Sequence, residues 1–208
     1  MVLYSYVIVR DYGFAPNPFF GYCTLATCKP KIRNGAKVGD WVVGNGSVVV
    51  QNGIYKNKLI YAMRVDEKMS FDDYWEDDRF FVKRPIMNGS NKQFYGDNIY
   101  HKAIKSGKYI QENSHHSLEN GKINMLNYNR DLKSKSILIS RTFWYYGKKA
   151  IPFPSKFKDI IKEGIGVKKT TDEKFINKFI IWLHEQNENS LIGKPAFFSG
   201  NAVRYNGA

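Results

Sequence analysis

The sequence predicts an α+β fold: a curved, mostly antiparallel sheet with helical insertions and a helix near the end of the chain. Three observations carry this. β-Branched and aromatic runs dominate the first half, and the two clear helix signatures interrupt or follow them instead of alternating with them. The third is size, since 208 residues with 43% hydrophobic side chains suffice for one domain with a substantial core. The regular βα alternation of a doubly wound sheet is missing.

Residues 2–9 are β-branched and aromatic and end at Arg10-Asp11 and the turn-rich Gly13-Phe-Ala-Pro-Asn-Pro18, so they read as a buried first strand. Residues 41–43, 59–65, 137–140 and 142–146 read as further strands. Ser70-x-x-Asp73 offers an N-cap oxygen and an acidic partner to a short helix whose Phe71, Tyr74 and Trp75 share one face. A longer helix is expected over residues 172–186, with Thr170-x-x-Glu173 as its capping box and Phe175, Ile176, Phe179, Ile180 and Leu183 as its apolar stripe. Residues 86–129, rich in Asn, Gly, Ser and Lys, have weak periodicity, and long irregular stretches of this kind are more often site-forming than idle. The expected division is a core over residues 1–147 and a basic extension over 148–208 whose one amphipathic helix packs on that core.

Charge narrows the partners. The chain carries 32 Lys+Arg against 19 Asp+Glu, a net +13. Seven of the acidic residues lie between Asp66 and Asp78 with only Lys68 to offset them, so the remainder carries +19. Basic residues gather at Lys29, Lys31, Arg33 and Lys37, and again from Lys148 to Lys169. Two such runs favour a polyanion, DNA, RNA or a nucleotide, whose phosphates Lys29, Lys31, Arg33 and Lys37 would hold. Disorder is excluded by composition. No run approaches the roughly 18 apolar residues of a membrane span, and the N-terminus lacks the pattern of a signal peptide, so no membrane partner and a cytoplasmic location are expected.

Chemistry-bearing motifs are few. Gly44-Asn-Gly46 lacks the third glycine of a dinucleotide fingerprint, and Gly164-Ile-Gly166-Val-Lys-Lys-Thr170 lacks the glycine that precedes Lys-Thr in a phosphate loop. His-Glu-x-x-His and Gly-x-Ser-x-Gly are also missing. Cys23 and Cys28 are too few for a disulfide framework or a four-thiolate zinc site, and on one extended strand their odd separation would put them on opposite faces. Both read as core thiols, and neither a metal nor a cofactor is assigned. What remains is polar and aromatic. Asp11, Tyr12, Phe14 and Asn17 leave the first strand on a stiff turn, and Gly39-Asp-Trp41 enters another strand. The segments Asp97-Asn-Ile-Tyr-His101 and Ser114-His-His-Ser117 are rich in directional hydrogen-bonding groups. A strand aromatic such as Trp41 is more often core than ligand wall. A loop histidine is more often solvated, and adjacent histidines in an extended segment would point opposite ways.

Several of these segments carry a family resemblance. The opening Leu-Tyr-Ser-Tyr-Val-Ile-Val-Arg-Asp-Tyr-Gly-Phe-Ala-Pro-Asn-Pro-Phe-Phe-Gly, Cys-Thr-Leu-Ala-Thr-Cys-Lys-Pro-Lys-Ile-Arg of 23–33, Val-Gly-Asp-Trp-Val-Val-Gly-Asn-Gly of 38–46, Gly-Asp-Asn-Ile-Tyr-His of 96–101 and Ser-His-His-Ser of 114–117 resemble the second type of nucleotide modification associated domain, over residues 1 to about 147. That family belongs to bacteria and phages, and the resemblance implies a link to hypermodified DNA bases. The order of Val38-Gly-Asp-Trp, a second strand and a small acidic helix is also similar to the PUA-like superfamily, including its EVE and ASCH branches, and implies a compact β-barrel that holds a base.

Two functions follow. In the first, the protein recognises a base, expected to be modified, in a pocket built from Asp11, Tyr12, Phe14, Asn17, Trp41, Asn98 and Tyr100. In the second it is an enzyme acting on a modified base or free nucleotide, with Asp97 or Asp11 as general base, His101, His115 or His116 as proton donor and Asn98 polarising a carbonyl. An interaction domain whose charge serves only solubility is the third alternative.

Overall fold

The first strand forms from the first β-branched and aromatic run, as β1 (Leu3–Ile8). The structure, a computed structural model, describes residues 1–47, 53–186, 189–198 and 202–207. After β1 come β2 (Cys23–Leu25), α1 (Pro30–Gly35), β3 (Trp41–Gly46), β4 (Lys58–Arg64), β5 (Glu67–Ser70), α2 (Phe71–Glu76), α3 (Asn91–Phe94), β6 (Tyr100–Lys102), β7 (Tyr109–Gln111), α4 (Met125–Asp131), β8 (Ser136–Ser140), β9 (Phe143–Tyr145), β10 (Ile151–Pro152), β11 (Lys168–Thr170), α5 (Glu173–Gln186) and β12 (Ser190–Leu191). The fold is mixed α+β, as the sequence predicts. No helix among the described residues is long and apolar enough to cross a membrane.

The chain divides into two compact units that interleave in sequence. One comprises residues 1–11, 36–67 and 140–197, the other residues 12–35, 68–139 and 198–208. This division does not coincide with the boundary expected at 147, because residues 148–197 complete the first unit with β10, β11, α5 and β12.

The first unit holds a sheet of order β11-β1-β3-β4-β9-β12, with β10 also on β4. β1 runs parallel to β3 and β12 parallel to β9, while the other pairings are antiparallel. Strands β11 and β12 stand at its two ends, so the described residues form no closed barrel of the kind the PUA-like resemblance implies. The Gly-Asp entry to β3 is a turn. Gly39 takes φ +93°, and Asp40 accepts from Val2 N at 2.8 Å and Lys37 N at 2.9 Å.

Gly44 has a packing reason. In register it lies between Tyr6 and Tyr61, and a Cβ there would meet the Tyr61 ring at 2.5 Å. The Gly44-Asn-Gly46 segment therefore serves close packing, and Asn45 exchanges two 3.0 Å hydrogen bonds with the Lys162 backbone. On the core face Trp41 stacks against Trp144 with centroids 6.0 Å apart, joined by Phe153, Phe157 and the α5 residues Ile176, Phe179 and Leu183. The start of α5 differs from expectation. Thr170 ends β11, the helix begins at Glu173, and Asp172 accepts from Phe175 N at 3.1 Å. Glu173 pairs instead with the N-terminal amine of Met1.

The second unit has its own core, in which Phe14, Phe71, Tyr74, Phe80, Tyr100, Ile137 and Ile139 are buried. It carries the three-stranded order β2-β8-β5 and the β6-β7 pair. The capping box of α2 forms as read, with Asp73 N donating to Ser70 Oγ at 3.1 Å and Ser70 N to Asp73 Oδ2 at 3.3 Å. Ser70→Ala is expected to lower stability by about 1 kcal/mol, measured as the shift in urea midpoint at constant slope.

Candidate active site

Within the second unit, β2 runs into a turn before α1, and at that turn Cys28 and Lys29 both have positive φ, 55° and 37°. Side chains with a Cβ adopt that region at a cost, so the surroundings must hold it. They do so through Arg33 and Asp131. Arg33, fully buried, donates from Nε to Cys28 O at 2.8 Å, from Nη1 to Ser136 O at 2.8 Å and from Nη2 to Asp131 O at 2.5 Å. Asp131 Oδ1 accepts from Cys28 N at 2.8 Å. The sequence reading of Arg33 as a phosphate ligand is thereby corrected, since its guanidinium is committed to backbone carbonyls.

The two histidines also depart from expectation. Residues 114–117 form a turn in which Ser117 N donates to Ser114 O at 3.1 Å, so the period-two alternation of a strand does not apply. His115 and His116 are both buried, their rings 5.6 Å apart and both against Phe14, at 4.9 and 4.5 Å. Neither is a solvated loop residue. His116 Nδ1 lies 2.7 Å from Asp131 Oδ2, and its Nε2 lies 3.8 Å from Cys28 Sγ. Tyr100 OH donates to the same Asp131 oxygen at 3.1 Å and accepts from Gln111 Nε2 at 2.8 Å. Thiol, imidazole and carboxylate thus stand in series, the order that orients and charges a nucleophile.

The charges agree with this order. Burial alone would push the His116 pKa down, but Asp131 and Cys28 outweigh it and raise it to about 9. His116 is therefore protonated at neutral pH, donating from Nδ1 to Asp131 and presenting Nε2–H to the sulfur. Burial would raise Asp131, yet His116 and Arg33 and the hydrogen bonds it accepts hold it below the usual carboxylate range. Cys23 is different: burial pushes its thiol up, and it lies beside Lys83 and Asp97. Cys28, His116 and Asp131 are also donor types that bind metals, with ligand atoms all within 4.8 Å of one another. Their surroundings fit a nucleophile better. Both Asp131 oxygens are already accepting hydrogen bonds, and Arg33 and Arg130 lie against the same group, a setting that repels a metal cation.

The remaining predicted residues separate. Tyr12 joins the site, with its ring 5.2 Å from His115 and stacked on Tyr95 at 5.3 Å. Tyr12, Phe14, Tyr100, His115 and His116 are therefore brought together. Asn17, Asp97 and Asn98 are buried elsewhere in the same unit as fold-holding groups. Asp97 accepts from Thr24 Oγ1 at 2.6 Å and Tyr74 OH at 2.9 Å, Asn17 accepts from Lys83 Nζ at 2.6 Å, and Asn98 Nδ2 donates to Tyr74 O and Phe80 O. All three are buried and hydrogen-bonded within the unit, apart from the five residues that meet around the histidines. His101 pairs with Glu112 at 2.8 Å and stacks on Trp75. Asp11 and Trp41 belong to the first unit, where Asp11 accepts from Tyr145 OH and Ala196 N and Trp41 is core. Lys29 follows the thiol, Lys31 and Lys37 are exposed, and Lys37 lies in the first unit.

Sequence reasoning missed Cys28 and Asp131. The only trace was the Cys-Lys-Pro-Lys-Ile-Arg run, whose cations follow a thiol; nothing in Asn-Arg-Asp131 marks a functional carboxylate. Among known proteins, the family model described as nucleotide modification associated domain 2 matches residues 1–202, well past residue 147. No curated protein and no solved structure matches the chain.

Proposed function

Since the chain belongs to the nucleotide modification associated domain 2 family, we propose that it is a thiol-dependent enzyme acting on a nucleotide or a modified base, with Cys28 as nucleophile. The carrying observation is His116, hydrogen-bonded to Asp131 at 2.7 Å through one ring nitrogen and 3.8 Å from Cys28 Sγ through the other.

In the proposed reaction the Cys28 thiolate attacks an sp² carbon of the base or of a group it bears. A carbon–sulfur bond forms, the π pair of the attacked C=O or C=N moves to its heteroatom, and that atom takes the proton from His116 Nε2. His116 then removes this proton as the double bond re-forms and passes it to the departing heteroatom group, whose bond to carbon breaks. Water, deprotonated by His116, adds to the thioester or thioimidate, and sulfur leaves as thiolate. Asp131 holds the imidazole in place and stabilises its charged form. Tyr12, half-buried beside His115, is the ring against which a base would stack. Of the expected set, Asp97 or Asp11 as base with His101, His115 or His116 as donor, this keeps His116 and gives the carboxylate role to Asp131. A reduced thiol suits a cytoplasmic location.

The test is a screen of modified and unmodified nucleosides, nucleotides and short oligonucleotides, read by intact-protein and small-molecule mass spectrometry. The expected result is an adduct on Cys28 and a product whose formation falls at least about a thousandfold in Cys28→Ala. Turnover retained by Cys28→Ala would overturn the proposal. Binding without turnover or adduct would favour base recognition.

A further inference from the structure

Beside Cys28 stand two cations, and one of them carries an unmet hydrogen-bond donor. Arg130, the last residue before Asp131 in α4, places Nε 3.8 Å from Asp131 Oδ1, the oxygen that accepts from Cys28 N at 2.8 Å. That Nε is buried and has no hydrogen-bond partner among the described residues. Its guanidinium is fixed from two sides, since Nη2 donates to Asn127 Oδ1 and the Tyr205 ring lies 5.1 Å from Cζ. The second is Lys29, next to Cys28 in the chain, half-buried and close enough to Arg130 to be repelled by it. A buried donor without an acceptor costs free energy, and two cations gathered at one point are compensated by an anion. Arg33 is not part of this pair, because backbone carbonyls occupy its guanidinium.

We propose that Lys29 and Arg130 bind an anionic oxygen group of the substrate beside Cys28, and that this group is the phosphate of a nucleotide, so that the site takes a phosphorylated substrate over a nucleoside or free base. The inference rests on Cys28 being the nucleophile. It adds which side chains hold the negative charge of the substrate.

Two alkylating reagents separate the claims. Iodoacetate carries a carboxylate and iodoacetamide does not; the ratio of their rates at one thiol cancels the thiolate fraction and reports the local field. Relative to glutathione, the iodoacetate:iodoacetamide ratio at Cys28 is expected to be about tenfold higher. It should fall to the glutathione value in Arg130→Gln and Lys29→Gln and be largely kept in Arg130→Lys. Inorganic phosphate should slow iodoacetate labelling, and 5′-mononucleotides should protect where nucleosides do not; protection by acetate but not phosphate would move the anion from phosphate to carboxylate and overturn that part. If Cys28 is labelled by both reagents with the glutathione ratio, the anion site is wrong and the nucleophile stands. If neither reagent labels Cys28 in the folded protein, the nucleophile reading falls and this inference with it.

Discussion

Asp97→Ala is expected to lower the unfolding free energy by about 3–5 kcal/mol, the cost of breaking a buried charge network by removing one partner. Asp97 is buried and accepts from Thr24 Oγ1 and Tyr74 OH, so the substitution leaves the Tyr74 hydroxyl without its acceptor. It also removes the charge that offsets burial at Lys83, whose pKa burial lowers to about 8 while Asp97 and Cys23 oppose the fall. Lys83 itself is fully buried, with its amine on Asn17 and Tyr22 oxygens. Urea unfolding checks the size of the effect. The double variant Asp97→Ala, Lys83→Met should be less destabilised than the sum of the two single changes, because it removes both charges together. An Asp97→Ala protein of unchanged midpoint would mean that the carboxylate supports little of the fold.

The second large effect is a pH dependence set by His116. Its pKa in the folded protein is raised from the ordinary 6.5 to about 9, so the stability it confers is fully present below about pH 6.5. That stability is lost as pH rises through 9, to a total of about 3 kcal/mol at 1.36 kcal/mol per unit. Asp131 works at the other end. Its carboxyl is held low, so its contribution is present above the unfolded carboxylate range and lost as pH falls through its folded value. Lys83, lowered by burial, makes stability rise with pH above about 8 and opposes the His116 trend. The informative quantity is therefore the difference between wild type and His116→Gln, measured by denaturant unfolding at pH 6 and pH 9.5. The wild-type advantage should shrink at the higher pH, and equal slopes in the two proteins would refute the charged His116–Asp131 pair.

Legibility in the sequence followed sequence distance. The strands, the α2 capping box and the α5 stripe depend on neighbours a few residues apart, and period and side-chain chemistry report those directly. Phe14, Tyr12, Tyr100 and the histidine pair were legible as a set because aromatic and imidazole groups are conspicuous in composition. Their geometry was not, since the expected opposition of His115 and His116 assumed a strand where Ser114–Ser117 makes a turn. Cys28, His116 and Asp131 meet across 88 and 103 residues, and no local rule connects them. Asp97 and Asn98 misled for the converse reason. A polar pair in a loop-like segment looks exposed until Thr24, Tyr74 and Lys83 are folded around it. Arg33 looks alike in sequence, its charge suggesting phosphate, while its buried guanidinium donates to backbone carbonyls, that of the strained Cys28 among them.

The interleaving of the two units has a practical consequence for dissecting the molecule. The chain passes from one unit to the other five times, so each is assembled from three separate stretches. A cut at any of the five crossings separates at least one unit from a stretch of its own chain. A fragment ending at residue 147 would keep Cys28, His116 and Asp131 but lose the Phe153, Phe157 and α5 side chains that pack on Trp41 and Trp144. Serial truncation is thus a poor way to locate activity in this chain. An insertion that leaves every stretch intact is the better probe, and Gly107, an exposed position at positive φ with open space around it, is a place to make one.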